Sequence, residues 1–143
     1  MSFLAETEFL FSLRPKDRWN KLTRKILQKI AQNRIQISLL ESAVHEMRAV
    51  SYSQGKNPRE VYTSLVFIKT KLVQHGIHEE AITIDDYVLA DRLREDFQEL
   101  TYFDSVHAAA ALRRNQTLIT NDSVYDRCEV KTITFRELAA QKQ

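Results

Sequence analysis

The chain has 143 residues, enough for one domain with a substantial core and too few for two comfortable ones. Hydrophobic residues make up 43% and charged residues 28%, which excludes a disordered chain, while 21 basic against 19 acidic residues leave a net charge of +2, too small to announce nucleic-acid binding by itself. The single cysteine, Cys128, excludes an internal disulfide and a cysteine zinc site and suits a reducing cytoplasm, and two glycines exclude a glycine-rich phosphate loop.

The opening MSFLAETEFLF carries acids at positions 6 and 8 and no basic stretch, so it does not read as a signal peptide. No apolar run approaches the roughly 18 residues of a membrane span. Residues 2–6 read as a short buried strand entering a first helical turn. RPKD at 14–17 is a turn whose Asp17 can cap the helix that follows, with Trp19, Leu22, Ile26, Leu27 and Ile30 at helical spacing. Residues 35–38 are a second strand. Ser38 and Glu41 have the spacing of a capping box opening a helix whose apolar face is Leu40, Ala43, Val44, Met47 and Val50.

Residues 51–57 form a loop. Asn57 and Pro58 open the next helix, packed by Val61, Leu65, Ile68 and Leu72, and Gly76 closes it. Residues 81–84 are a weaker third strand. Asp85 or Asp86 caps a helix to about residue 99, and Thr101 caps an alanine-rich helix ending near Arg114. Residues 117–120 and 130–134 are the last two strands, and 135–143 a terminal helix. This alternation predicts an α/β fold, a parallel sheet with helices on both faces, in a single domain spanning 1–143.

Each acid must be weighed against an ordinary role. Glu41 is explained by the capping box. Glu46 borders the apolar face of its helix, where an acid needs compensation, so it is a metal ligand or an edge ion pair. Asp104 sits in a first helical turn, where the helix dipole favours it. Four following alanines let that helix pack closely enough to hold a ligand rigid. Asp122 follows a strand end, as a ligand or an Asx turn. Glu6 ends the first strand; Glu8 and Asp126 are secondary. In open parallel sheets, ligands bind beyond the carboxyl ends of the strands where strand order reverses. If strands one and four are neighbours, Glu6 and Asp122 face each other there, and crowded carboxylates need a cation or raised pKa values. All-oxygen ligation suits Mg²⁺ or Mn²⁺. The histidines do not rival this: His75 and His78 flank Gly76 without a third ligand, and His45 and His107 read as structural or peripheral, although His107 could approach substrate.

The segment YFDSVHAAAALRRNQTLITND, with the opening FLAETEFLFSLRPKDR and the helix SLLESAVHEMRAV, resembles the PIN-domain ribonucleases, in particular relatives of the VapC toxins. The resemblance covers nearly the whole chain. It implies a five-stranded parallel sheet in order 3-2-1-4-5 and Mg²⁺- or Mn²⁺-dependent cleavage of RNA phosphodiesters. By position it implies a catalytic and metal-binding set of Glu6, Glu46, Asp104 and Asp122, with Asp126 in the outer shell and Thr7 and Thr120 orienting carboxylates. It also implies a homodimer and a small antitoxin partner. The family has Asp at the position of Glu6 and a small polar residue at that of Glu8. Glu6 is one methylene longer, which predicts turnover that is weak, Mn²⁺-preferring or absent. The alternative reading is therefore a catalytically weakened PIN-like domain that binds RNA or protein.

RNA also needs positive surface around the acids. Arg14 and Arg18, with Lys16, Lys21, Arg24 and Lys25, form one candidate stretch; Arg113 and Arg114 form another. Their ordinary role is a solvated helix face.

Overall fold

Strand β1 (Ser2–Ala5) sends Phe3 and Ala5 into one apolar cluster and Leu4 into a second, because successive strand side chains point to opposite faces. A computed structural model, describing residues 1–142, places this strand at the centre of a five-stranded sheet. Its neighbours are β2 (Gln36–Leu40) and β4 (Thr117–Ile119); β3 (His78–Glu80) and β5 (Thr132–Ile133) form the edges. All four pairings are parallel and the order is β3-β2-β1-β4-β5, as expected, with β1 beside β4.

The first cluster joins the sheet to α1 (Thr7–Ser12), α2 (Asn20–Ala31), α3 (Glu41–Ser53), α4 (Pro58–Gln74) and α7 (Phe135–Ala140). The second joins it to α5 (Ile84–Asp96), α6 (Tyr102–Arg114) and the 3-10 helix Ser123–Cys128. Both faces are thus covered, which lets a parallel sheet of apolar strands stay out of water. Residue 143 of the expected terminal helix lies outside the described residues.

Several local expectations are met. The Thr101 side chain accepts from the Asp104 N–H and caps α6, and Asn115 ends that helix in a left-handed conformation at φ 49°. Ala108 to Ala111 are buried, so α6 packs closely against its surroundings. Asn57 and Glu60 form a capping box at the start of α4.

Others are corrected. Ser38 and Glu41 make no capping box: β2 continues through Leu40, which pairs with Glu80, and Leu40 is the helix cap. Ser38 lies in the ladder between Leu4 and His78, so its backbone is committed to the sheet. The third strand is His78–Glu80 rather than residues 81–84. Thr83 and Asp86 instead form the capping box of α5. Asp17 accepts from the Trp19 N–H, one turn ahead of α2, whose own cap has no side-chain bond. The loop expected at 51–57 is shorter, since α3 runs to Ser53.

Candidate metal centre

The chain leaves β1 at Ala5 and turns at once into α1, so Glu6 is both the residue after the strand and the helix cap. One Glu6 carboxylate oxygen accepts from the Glu8 N–H at 3.0 Å. The side chain is buried. Burial pushes its carboxyl well above the usual carboxylate range; the Glu8 N–H opposes this, while the charges of Glu8, Glu46 and Asp104 add to it. The four acids are therefore close enough to feel one another.

Glu46 comes from the second turn of α3. Its Oε1 accepts from the Thr7 hydroxyl and lies 3.0 Å from His107 Nε2. Burial raises the Glu46 carboxyl, but the hydrogen bonds from His107 and Thr7 outweigh it and hold the group below its usual range. His107 itself is fully buried on α6. Its Nδ1 lies 2.9 Å from Ser42 Oγ, and its Nε2 also lies 3.3 Å from Thr7 Oγ1. α1, α3 and α6 thus meet through one hydrogen-bonded chain.

Asp104 is half-buried in the first turn of α6 and accepts from the Tyr125 hydroxyl at 3.2 Å. Tyr125 is fully buried; burial, then the charges of Glu6 and Asp104, push its phenol well above the usual value, so it serves as a donor. Glu8 reaches across to accept from the Asn121 N–H at 3.0 Å, fastening α1 to the segment after β4.

Glu6, Glu46 and His107 each offer a ligand atom, all within 4.8 Å of one another. Two carboxylates and an imidazole in partly buried surroundings fit a divalent cation, which would offset the cost of ionising Glu6. Asp104 stands beside this group through its charge on Glu6. Asp122 is exposed and caps the 3-10 helix, accepting from Val124 N–H at 3.0 Å, and its own N–H donates to Thr120 Oγ1 at 3.1 Å. Asp126 is exposed on that helix. The structure therefore gathers Glu6 and Glu46 with His107 and leaves Asp104, Asp122 and Asp126 outside that three-donor group, Asp104 acting on Glu6 through its charge. Thr7 is placed against Glu46, and the buried Thr120 orients the backbone of Asp122 rather than a carboxylate.

Of the basic residues, Arg14 stacks over Phe11 at 4.6 Å and Arg18 over Trp19 at 4.5 Å. Arg14 and Arg18 line a groove of about 830 Å³ with Lys16, Lys56, Phe11 and Met47, the last adjacent to Glu46 in sequence. Arg113 and Arg114 lie at the opposite end of α6 from Asp104, about 15 Å along its axis. Both donate to the fully buried Asp86 at 2.8 Å, and Arg114 also pairs with Glu80 at 2.8 Å.

From the sequence His107 read as structural or peripheral, able at most to approach substrate, although it lies three residues after Asp104, a spacing that puts both on one helix face. Tyr125 had no such local signal.

No protein-family model matches the chain, and no curated protein does. Solved structures do. VapBC2 from Rickettsia felis, bound to a DNA fragment from its promoter, superposes with a TM-score of 0.71 at 16% identity, over 94% of this chain and 98% of that one. The chain has a VapC-like PIN-domain fold. FitAB bound to a DNA fragment shares it at a TM-score of 0.69 and 16% identity, covering 100% of this chain and 99% of that one. So does VapC20 from Mycobacterium tuberculosis, a sarcin–ricin loop cleaving toxin, at 0.65 and 14% identity over 90% of this chain and 95% of that one. At such identities the likeness is one of fold. In this fold Glu6 directly follows β1, whose neighbour is β4, and Glu8 bonds to Asn121 just beyond β4.

Proposed function

We propose that the chain is a metal-dependent endoribonuclease and the toxin component of a toxin–antitoxin pair. The observation that carries this is the convergence of Glu6, Glu46 and Asp104 beside the central strand of a PIN fold. The solved structures lend support: one neighbour cleaves RNA at the sarcin–ricin loop, and another is a toxin–antitoxin complex from Klebsiella pneumoniae.

In this reading Mg²⁺ or Mn²⁺, held by Glu6 and Glu46 with Asp104 alongside, supplies charge neutralisation at the scissile phosphate and an activated water. Thr7 and His107 hold the Glu46 carboxylate in one orientation. Tyr125 does the same for Asp104. Asp122, at the start of the 3-10 helix, is the fourth acid and approaches from the β4 side, with Asp126 further out. Arg14 and Arg18 take the RNA backbone; their rings underneath limit the side-chain freedom lost on binding. Arg113 and Arg114 contribute less, being engaged with Asp86. A homodimer belongs to the same reading, since α5 shows Ile84, Tyr87 and Val88 to solvent. Among the described residues no helix is long and apolar enough to cross a membrane.

A specific observation favours a second reading. Glu6 spends a carboxylate oxygen on the Glu8 N–H, and burial pushes its carboxyl well above the usual range, which disfavours the ionised form a cation needs; in this reading the centre binds RNA or a protein partner without turning over. Cleavage of a mixed RNA pool with Mg²⁺ or Mn²⁺, wild type beside Asp104→Asn, tests the first reading. Cleavage that is lost on chelation and in the variant supports it; metal-independent cleavage, or an unchanged variant, overturns it. Binding without cleavage, with turnover restored by Glu6→Asp, supports the second.

A further inference from the structure

The imidazole at the centre has no place in an all-oxygen magnesium site. His107 is fully buried, yet it is polar at both nitrogens and both are in use. An apolar residue at this position would fill the space between α3 and α6 without the cost of burying a polar ring. The ring is instead held by polar partners on both sides, one of them a carboxylate of the candidate centre.

We propose that His107 Nε2 is itself a ligand of the bound cation, together with Glu6 and Glu46, and that the centre therefore selects Mn²⁺ or a later transition metal over Mg²⁺. This rests on the reading of the centre as a metal site. The geometry comes first: a His107 ring nitrogen lies with a Glu6 and a Glu46 oxygen in a group no wider than 4.8 Å, Nε2 is the nitrogen that faces Glu46 at 3.0 Å, and Asp104, Asp122 and Asp126 are outside that group.

The second argument concerns the other nitrogen. A ligating histidine uses one nitrogen on the metal and gives the N–H of the other to a hydrogen-bond acceptor, which fixes the ring and its tautomer. Ser42 Oγ stands 2.9 Å from Nδ1 in that place. Being a hydroxyl, it donates to Nδ1 when Nε2 carries the proton toward Glu46, and accepts from Nδ1–H when Nε2 turns its lone pair to a cation. The network of Thr7, Glu46, His107 and Ser42 can thus exist with or without the ion by moving protons rather than side chains. Imidazole nitrogen is a good ligand for transition metals and a poor one for Mg²⁺, so one nitrogen in the donor set biases the choice of ion.

Pulsed electron paramagnetic resonance of the protein loaded with Mn²⁺ tests this without reference to activity. Bound Mn²⁺ should show the modulation of a coordinated imidazole nitrogen, and His107→Gln should abolish it. Removing Ser42's hydroxyl in Ser42→Ala should keep the modulation and weaken Mn²⁺ binding by about 10-fold or more. Mn²⁺ should also resist displacement by Mg²⁺ in wild type and yield readily in His107→Gln. Bound Mn²⁺ without nitrogen modulation, or modulation that survives His107→Gln, overturns the role of His107 and leaves the carboxylate metal site standing. Failure of wild type to bind Mn²⁺ at all overturns both. The wild-type spectrum decides the matter even if the glutamine variant folds poorly.

Discussion

The Tyr125 hydroxyl donates to Asp104 Oδ1 across 3.2 Å, joining the 3-10 helix after β4 to the first turn of α6. Both groups lie at the candidate centre, and the ring of Tyr125 is part of the second apolar cluster. Tyr125→Phe should keep the packing and lose one hydrogen bond to a charged group, about 1.5–3 kcal/mol at most. Cleavage of the RNA pool should fall about 10- to 100-fold if that amount supports the transition state, by the conversion of about 1.4 kcal/mol per factor of ten. Equal cleavage rates for Tyr125→Phe and wild type would show that Asp104 needs no such support.

Thr7 has the corresponding relation to Glu46. Its hydroxyl is the donor and its methyl is buried, so the two parts can be separated by substitution. Thr7→Val keeps the shape and removes the donor, whereas Thr7→Ser keeps the donor and removes the methyl. Metal affinity, read by calorimetry, should drop several-fold in the valine variant and change little in the serine variant. The reverse order would assign Thr7 to packing.

Far from the acids, Asp86 gives a stability prediction. It is fully buried; burial raises its carboxyl, but hydrogen bonds from Arg114, the Thr83 N–H and Arg113 overcome this and hold it well below the usual carboxylate range. A depressed folded-state pKa means that the unfolded chain takes up the proton first as pH falls. The stabilisation is therefore complete above the unfolded value near 4 and is lost progressively below it, toward the lower folded-state value. Urea unfolding should show a midpoint that declines below about pH 4 in wild type and declines less in Asp86→Asn. At neutral pH that variant should be less stable, by less than the roughly 3–5 kcal/mol of a fully buried broken pair, since Arg114 keeps Glu80 and Arg113 is partly exposed.

Metal should be read directly in thermal stability. At a concentration one hundred times its dissociation constant, a ligand specific for the folded state adds about 2.7 kcal/mol. For a domain of this size that corresponds to a rise in Tm of several degrees, reversed by chelation. Glu6→Gln should abolish the rise and, without metal, melt above wild type. Its amide keeps an oxygen for the Glu8 N–H and removes a buried acid crowded by three others. A lower melting temperature for metal-free Glu6→Gln would mean that Glu6 stabilises the fold rather than burdening it.

What could be read from the sequence was mostly what is local. The α6 helix declared itself through Thr101, the alanines and Asn115, each of which acts on its own turn. The sheet order followed from the resemblance, and the structure has that order. β3 was misplaced because His78, Glu79 and Glu80 are polar: an edge strand with exposed side chains carries no apolar alternation, while the apolar residues at 82 and 84 imitated one. The false capping box at Ser38 shows the same limit from the other side, a local pattern overridden by pairing with β1 and β3. Asp104 and Glu46 were legible as acids with rigid or half-buried settings. The roles of His107 and Tyr125 were not, because Ser42, Glu46, Glu6 and Asp104 reach them only through tertiary packing.

The bond from Asn121 N–H to Glu8 spans 113 positions, and the parallel pairing of β1 with β4, Leu4 against Leu118, spans one more. During synthesis Glu6 and Glu46 leave the ribosome well before Asp104 and His107, and Tyr125 follows near the end. Domains form as the chain emerges, N-terminal parts first. Here the central strand pairs early with β2 but must wait for β4, so Glu6 and Glu46 leave the ribosome well before the segment that carries Asp104, His107 and Tyr125 can join them. The candidate centre is therefore assembled late in the folding of this domain rather than as its first strand forms.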